Sequence, residues 1–199
     1  MEHAVRRHYD LLIRENQDPV LDPPMLQSYM QKWDGPIFLS ALNLTRDKTA
    51  LEIGVGTGRL ALQTAPRCRQ LTGIDLSPCT IERAKCHLQK FDHVQLIQGD
   101  FLDYPFAQSF DVIYASLVFM HIREKERAVQ KAAALLNPGG RLVLSLDKNQ
   151  DDILDYGSRK IPIYPDDPAA MTEIFQKAGL AVIGPLETEF AHILIGEKG

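Results

Sequence analysis

The pattern of apolar and polar positions along this chain of 199 residues changes character near residue 49. Before that point apolar residues recur at helical spacing, with Val5, Tyr9, Leu12 and Ile13 on one face of an N-terminal helix. Asp22-Pro23-Pro24 reads as a second helix start, Asp22 serving as cap and proline being tolerated in the first turn, and the helix is expected from Pro24 to Lys32. Asp34-Gly35-Pro36 breaks it, and Ile37, Phe38, Leu39, Ala41 and Leu42 resume a helical apolar pattern. Beyond residue 48 short apolar runs alternate with helical stretches. Strands are predicted near 49–54, 70–75, 94–98, 110–115 and 141–146, and helices near 58–66, 78–90 and 123–136. Such alternation predicts a doubly wound α/β fold, a mostly parallel sheet with helices on both faces.

Local punctuation supports this order. Ser77-Pro78 is a cap followed by a first-turn proline, and Asn137-Pro138-Gly139-Gly140 separates the last of these helices from a strand over Arg141 to Leu146. Near the end a helix over 168–178 stops at Gly179, and two apolar runs follow, Leu180 to Ile183 and Phe190 to Ile195. The residues between them, Gly184 to Glu189, are too few for a crossover helix, so this final pair is expected to be antiparallel.

Composition narrows the picture only in places. With 45% hydrophobic residues the chain is expected to form one domain, a helical cap over 1–48 on a core over 49–199. A net charge of -4 offers no general footprint for nucleic acid. Cys68, Cys79 and Cys86 are odd in number and form no CxxC pair, so neither a disulfide framework nor a metal site is expected, and a cytoplasmic location is. No apolar run approaches the ~18 residues of a membrane span.

The candidate chemistry begins at Leu51-Glu-Ile-Gly-Val-Gly-Thr-Gly-Arg-Leu-Ala61, where an apolar strand runs into three alternating glycines and then a helical pattern. Gly54, Gly56 and Gly58 let a ligand lie against bare backbone at a helix start. The glycines alone are ambiguous. Gly56-Thr-Gly58-Arg-Leu-Ala61 satisfies the GxGxxA dinucleotide fingerprint, and Asp75 lies about 20 residues on, where such folds hold a ribose. Three features separate the readings. Glu52 stands in an apolar run before the glycines, where a carboxylate is costly unless hydrogen-bonded or facing a cation, and a pyrophosphate would gain nothing from it. Gln98-Gly99-Asp100-Phe101 closes the third strand with an acid beside an aromatic, suited to an exocyclic amine and the face of an adenine. The sheet also uses most of the chain after residue 48, leaving a nicotinamide-dependent oxidoreductase no room for a second domain.

These segments, together with Gly73-Ile-Asp75-Leu-Ser77, Phe110-Asp-Val-Ile-Tyr-Ala-Ser116 and Leu136-Asn-Pro-Gly-Gly-Arg-Leu142, closely resemble the class I S-adenosylmethionine-dependent methyltransferases. The resemblance spans about residues 48 to 146, and the antiparallel final pair matches that family's seven-stranded sheet. It implies that S-adenosyl-L-methionine is the cofactor and S-adenosyl-L-homocysteine the product. Glu52 and the backbone of Gly54, Gly56 and Gly58 would hold the methionyl part, Asp75 the ribose, Leu76 one adenine face, and Asp100 the adenine amine beside Phe101. Ala115 and Ser116 would line the floor near the methyl group.

The reaction is then methyl transfer to an oxygen or nitrogen of a small molecule, with His121 the candidate base. Tyr9, Tyr29 and Trp33 lie on the helices expected to form a lid. The segment Asp147 to Pro168, with Tyr156, Arg159 and Tyr164, is the candidate for substrate selection, and its acidic lean favours a neutral or cationic substrate. Tyr114-Ala115-Ser116-Leu117 stands where the Asn/Asp-Pro-Pro-Tyr motif of base and glutamine methylation would be. A non-catalytic module that binds the cofactor stays open beside the enzyme.

Overall fold

The computed structural model describes residues 2–199, with side chains from residue 4 onward. Two stretches of helix precede the sheet: α1 (Glu2–Arg14), then α2 (Pro24–Asp34) running almost directly into α3 (Pro36–Ala41). The core follows as β1 (Thr49–Ile53), α4 (Ala61–Thr64), β2 (Gln70–Asp75), α5 (Pro78–Leu88), β3 (Val94–Gln98), β4 (Phe110–Ser116), α6 (Lys125–Leu135) and β5 (Leu136–Asp147). A small hairpin, β6 (Ile153–Asp155) and β7 (Lys160–Pro162), then leads to α7 (Pro168–Lys177), β8 (Leu180–Glu187) and β9 (Ala191–Lys198).

Seven strands form one sheet in the order β3-β2-β1-β4-β5-β9-β8. The first five are parallel, while β9 runs antiparallel to β5 and β8 on either side, as the short connection before it requires. Each face of the sheet is covered. Leu51, Ile53, Ile113 and Leu144 pack with Ala128, Val129 and Ala132 of α6 and Met171 and Phe175 of α7. On the other face Ala50, Leu71, Val112 and Val143 pack with Phe38 of α3, Ala61 of α4 and Ile81, Ala84 and Leu88 of α5. β1 is buried along its whole length, which explains why its pattern is apolar save for Thr49 and Glu52.

The helix starts follow the sequence where a cap exists. Ser77 Oγ accepts from Thr80 N at 3.1 Å with Pro78 behind it, and Asp167 Oδ1 accepts from Ala170 N at 2.7 Å ahead of Pro168. Three expectations shift. At α2 the cap position is Pro23 rather than Asp22, with no side-chain cap, and the helix continues to Asp34, where the Gly35 amide closes its last turn on the Gln31 carbonyl. The stretch near 58–66 is helical only over Ala61–Thr64, followed by a 3₁₀ turn over Ala65–Arg67, because Pro66 has no amide to donate. The Asn137-Pro138-Gly139-Gly140 segment does not separate helix from strand: β5 starts at Leu136, pairs with Phe110, and slips register before Arg141 pairs with Val112. That slip leaves Asp111 free to accept from Thr49 N at 2.8 Å and from Asn137 Nδ2 at 2.7 Å, stapling three strands below the sheet. The last two strands also run further than their apolar cores, because the pairing extends through polar edge residues.

Among the described residues no helix is long and apolar enough to cross a membrane. Ser77→Ala removes the α5 cap and the Ser77 hydroxyl that donates to Asp10 of α1 at 2.6 Å. Urea unfolding is expected to show a loss of about 1–2 kcal/mol.

Candidate active site

The strand order reverses between β1 and β4, and the carboxyl ends of these strands open there onto a crevice. The glycine turn sits at that point. Gly54 N and Val55 N both donate to the Ile74 carbonyl, at 2.8 and 3.1 Å, and Gly58 N closes the turn on the Val55 carbonyl at 3.0 Å. Gly54 has φ +71°, and a Cβ there would lie 2.3 Å from Val118 Cγ2, so the position is closed both by conformation and by space. Gly56 differs: at φ +55° an added Cβ would meet no atom within 4 Å, so its bare side faces open space above the strand ends. That is the fit expected of a backbone cradle.

Glu52 lies beneath the turn, 3% exposed, opposite Gly73 on β2 and Tyr114 on β4. Among the described residues it has no direct cationic partner. Tyr114 Oη donates to Glu52 Oε2 at 2.8 Å and shares a 2.7 Å hydrogen bond with Thr64 Oγ1. Burial raises the Glu52 carboxyl to about 8, against the opposing pull of the Tyr114 hydroxyl and the Arg59 guanidinium. The acid is therefore mostly protonated at neutral pH and suited to ionise when a positive charge arrives.

The Arg59 guanidinium, from the glycine turn itself, is already held. Arg59 Nη1 donates to Asp34 Oδ1 at 2.9 Å and its Nη2 pairs with Oδ2 of the same carboxylate. Asp34 ends α2 with its side chain fully buried, and it also accepts from Ser116 Oγ at 2.6 Å. One carboxylate thus ties the end of α2 to the glycine turn and to the end of β4. Neither Asp34 nor Arg59 stood out in the sequence, where Asp34 reads as part of a helix break and Arg59 as the start of a helix.

Asp75 stands at the end of β2 with both oxygens engaged. Its Oδ2 accepts from Gly56 N at 2.9 Å, and its Oδ1 from Ser77 N at 2.9 Å and Thr80 Oγ1 at 3.0 Å. It therefore braces the turn and steadies the start of α5, while Oδ2 retains acceptor capacity. Leu76 is half-buried beside it. Asp100 forms an Asx turn, accepting from Leu102 N at 2.7 Å. Phe101 is drawn into the apolar core, 6.0 Å from the Phe106 ring with the Lys131 ammonium 5.5 Å away, rather than standing at the strand ends. Ala115 is likewise core.

α1 crosses the crevice. Tyr9 Oη is 2.9 Å from His121 Nε2, and Asp10 Oδ1 accepts from Ser77 Oγ at 2.6 Å and Cys79 N at 3.3 Å. His121 lies in the 3₁₀ turn Phe119–His121 that follows β4. Burial first, then the nearby His8 and Lys125, lowers its imidazole to about 4, so the ring is neutral at pH 7. Its Nδ1 is buried with no hydrogen-bond partner among the described residues. The structure thus brings Tyr9 and His121 together, and Tyr156 joins them through His8, whose ring centroid is 4.4 Å from that of Tyr156 and 5.1 Å from that of Tyr9. Arg159 closes this corner on Glu15 of the segment after α1, with Nη2 2.7 Å from Oε2.

The other lid candidates go elsewhere. Tyr29 and Trp33 of α2 stack around Phe190, with Trp33 and Phe190 centroids 4.8 Å apart, and seat α2 on the β8–β9 connection. Trp33 Nε1 is buried and unpaired among the described residues. Tyr164 donates its amide to the Met120 carbonyl at 2.7 Å, and its own carbonyl accepts from Lys125 Nζ at 2.9 Å, which fixes the substrate-side segment against the turn after β4.

A reversed last strand in a seven-stranded sheet, with a glycine turn at the switch point, is the Rossmann-like fold of class I methyltransferases. Residues 51–144 match the model of a methyltransferase domain. An uncharacterized methyltransferase of Anoxybacillus flavithermus is 34% identical over 125 residues, covering 60% of this chain and 57% of that protein. The O-methyltransferase rstn1 of Aspergillus nomiae is 32% identical over 140 residues, covering 68% of this chain and 58% of that protein. The chain thus spans less than two thirds of either relative. The crystal structure of magnesium protoporphyrin IX methyltransferase from Synechocystis PCC 6803 with bound SAM superposes with a TM-score of 0.79 at 16% identity, over all of this chain and 97% of that one. Residues 51–144 thus carry a methyltransferase domain, on the fold of the class I S-adenosylmethionine-dependent enzymes, whose cofactor is S-adenosylmethionine, and the dinucleotide reading of the glycines is not favoured.

Two outcomes follow from the geometry. A carboxyl raised to about 8 in the fold but near 4.5 when unfolded favours the fold below pH ~4.5, and that contribution is lost as pH rises through 8. Glu52→Gln should therefore flatten the decline of melting temperature between pH 5 and 9 while weakening binding of S-adenosylhomocysteine; an unchanged pH profile would show that Glu52 is ionised in the free protein. Gly54→Ala should lower the melting temperature, since Val118 must move and the backbone is held at positive φ.

Proposed function

We propose that this protein transfers a methyl group from S-adenosylmethionine to an oxygen of a small molecule, with His121 as the receiving base. The observation that carries the reading is the Tyr9–His121 contact, which sets a neutral imidazole under the lid at the end of β4 with Nδ1 unspent. When bound, the cofactor supplies a sulfonium methyl: the acceptor oxygen bonds to the methyl carbon, the carbon–sulfur bond breaks to leave the thioether, and the acceptor proton departs to a base.

The chain's own residues fit that cofactor. The open side of Gly56 offers a backbone surface, Glu52 is a buried carboxyl ready to ionise beside a cation, and Asp75 Oδ2 has an acceptor site left for a hydroxyl. Leu76 and Asp100 lie at the ends of β2 and β3 for the adenine. Ser116, at the end of β4, holds Asp34 and so steadies the floor.

His121 argues for oxygen over nitrogen. An imidazole lowered to about 4 is too weak to strip an alkylammonium, whose pKa resembles that of lysine at ~10.4. It suffices for a hydroxyl, whose proton becomes strongly acidic only as the oxygen shares its lone pair with carbon. Nδ1 would take that proton, giving an imidazolium whose Nε2–H donates to the oxygen of Tyr9, a hydroxyl that burial keeps protonated and uncharged. The similarity to a named O-methyltransferase agrees with this choice.

Calorimetry should find S-adenosylhomocysteine binding and no NAD binding. Gly56→Val should abolish the former at a stability cost of roughly 1–3 kcal/mol, read separately by melting. His121→Phe should retain the affinity and lose about 10²–10⁴-fold in labelled-methyl transfer to a hydroxyl acceptor. Transfer at full rate in that variant would remove His121 from the chemistry. Tight product binding with no transfer to any metabolite pool would leave a non-catalytic binding module.

A further inference from the structure

His8 was invisible as a functional residue in the sequence and is used by nothing described so far. It is 2% exposed, yet both of its ring nitrogens lack hydrogen-bond partners among the described residues. A neutral imidazole buried with nothing to bond is costly, and native structures rarely leave one so. Two further unpaired polar atoms lie in the same corner between α1, the turn after β4 and the β6–β7 hairpin: His121 Nδ1 and Arg159 Nε. Aromatic rings wall this corner: His8 packs at a tilt against Tyr156 and edge-on to Tyr9, and Tyr9 meets His121 edge-on at 5.6 Å.

The charges of this corner cancel. Both imidazoles are neutral, the Tyr9 and Tyr156 hydroxyls are kept protonated by burial, and Arg159 is matched by Glu15. An acceptor bearing a net charge would lose its water here and meet no counter-charge. An uncharged ring bearing a hydroxyl would gain aromatic contacts on its faces and hydrogen bonds from the unpaired nitrogens.

We propose that His8 and Tyr156 form the recognition platform for the methyl acceptor, and that the acceptor is an uncharged planar molecule carrying a hydroxyl, a phenol in chemical class. This rests on the methyl-transfer reading above and deepens it: His121 takes the proton, and His8 fixes the orientation of the ring. Entry of such a molecule parts α1 from the hairpin, which are joined here through the His8–Tyr156 ring contact and the Arg159–Glu15 pair.

The test titrates the protein, with and without saturating S-adenosylhomocysteine, with three probes of one shape: 2-naphthol, 2-naphthoate and 2-(aminomethyl)naphthalene. The naphthol is expected to bind about tenfold tighter than either charged probe, the worth of one net hydrogen bond plus avoided desolvation. His8→Phe keeps the ring and removes the unpaired nitrogens, so it should erase that preference while leaving the S-adenosylhomocysteine affinity in place and the melting temperature no lower; Tyr156→Leu should weaken all three probes alike. Equal or tighter binding of a charged probe, a preference that survives His8→Phe, or no naphthol binding in either state overturns the inference. Failure of S-adenosylhomocysteine to bind, with the naphthol preference intact, overturns instead the methyl-transfer reading and leaves this platform standing.

Discussion

The structure turns on a carboxyl group placed where a sheet has least tolerance for one. Glu52 sits inside a strand buried on both faces, at the point where strand order reverses, and the protein surrounds it with a tyrosine hydroxyl rather than a counter-ion. Tyr114 in turn needs Thr64, so a chain of hydrogen bonds runs from β1 through β4 to α4. The guanidinium that might have satisfied Glu52 is diverted to Asp34. The consequence is an acid that burial keeps largely neutral. The same residues that finish the core thereby prepare the site.

The second organising device is the pair of connections that bring the N-terminal helices onto the sheet. Asp34 anchors α2 through the glycine turn and Ser116, and Trp33 and Tyr29 seat it against Phe190. α1 is fastened differently, by Asp10 at the start of α5 and by Tyr9 at the turn after β4. Buried ion pairs such as Asp34 with Arg59 are costly to break singly, whereas the contacts of α1 are single hydrogen bonds and ring contacts. α2 therefore behaves as part of the floor and α1 as the cover.

Much of this was legible in the sequence. Short apolar runs between helical stretches located the five parallel strands, and the shortness of the Gly184 to Glu189 connection forced the antiparallel ending. The glycine motif with Glu52 and Asp75 marked the switch point because those residues break local rules, and rule-breaking is visible in a linear chain. What stayed hidden depends on distance in space. Asp34 and Arg59 are 25 positions apart, His8 and Tyr156 far more, and each looks ordinary among its own neighbours. Phe101 shows the converse: beside Asp100 it reads as an adenine cover, yet the packing of Phe106 and Lys131 turns it inward. The hairpin over 153–162 escaped notice because its strands are three residues long and mostly exposed, below what alternation can signal.

The helix laid over the nucleoside crevice also carries His8 and Tyr9, so the cover of one compartment is a wall of the next. The two guests are consequently not independent tenants. Any displacement of that helix changes the walls of both compartments at once.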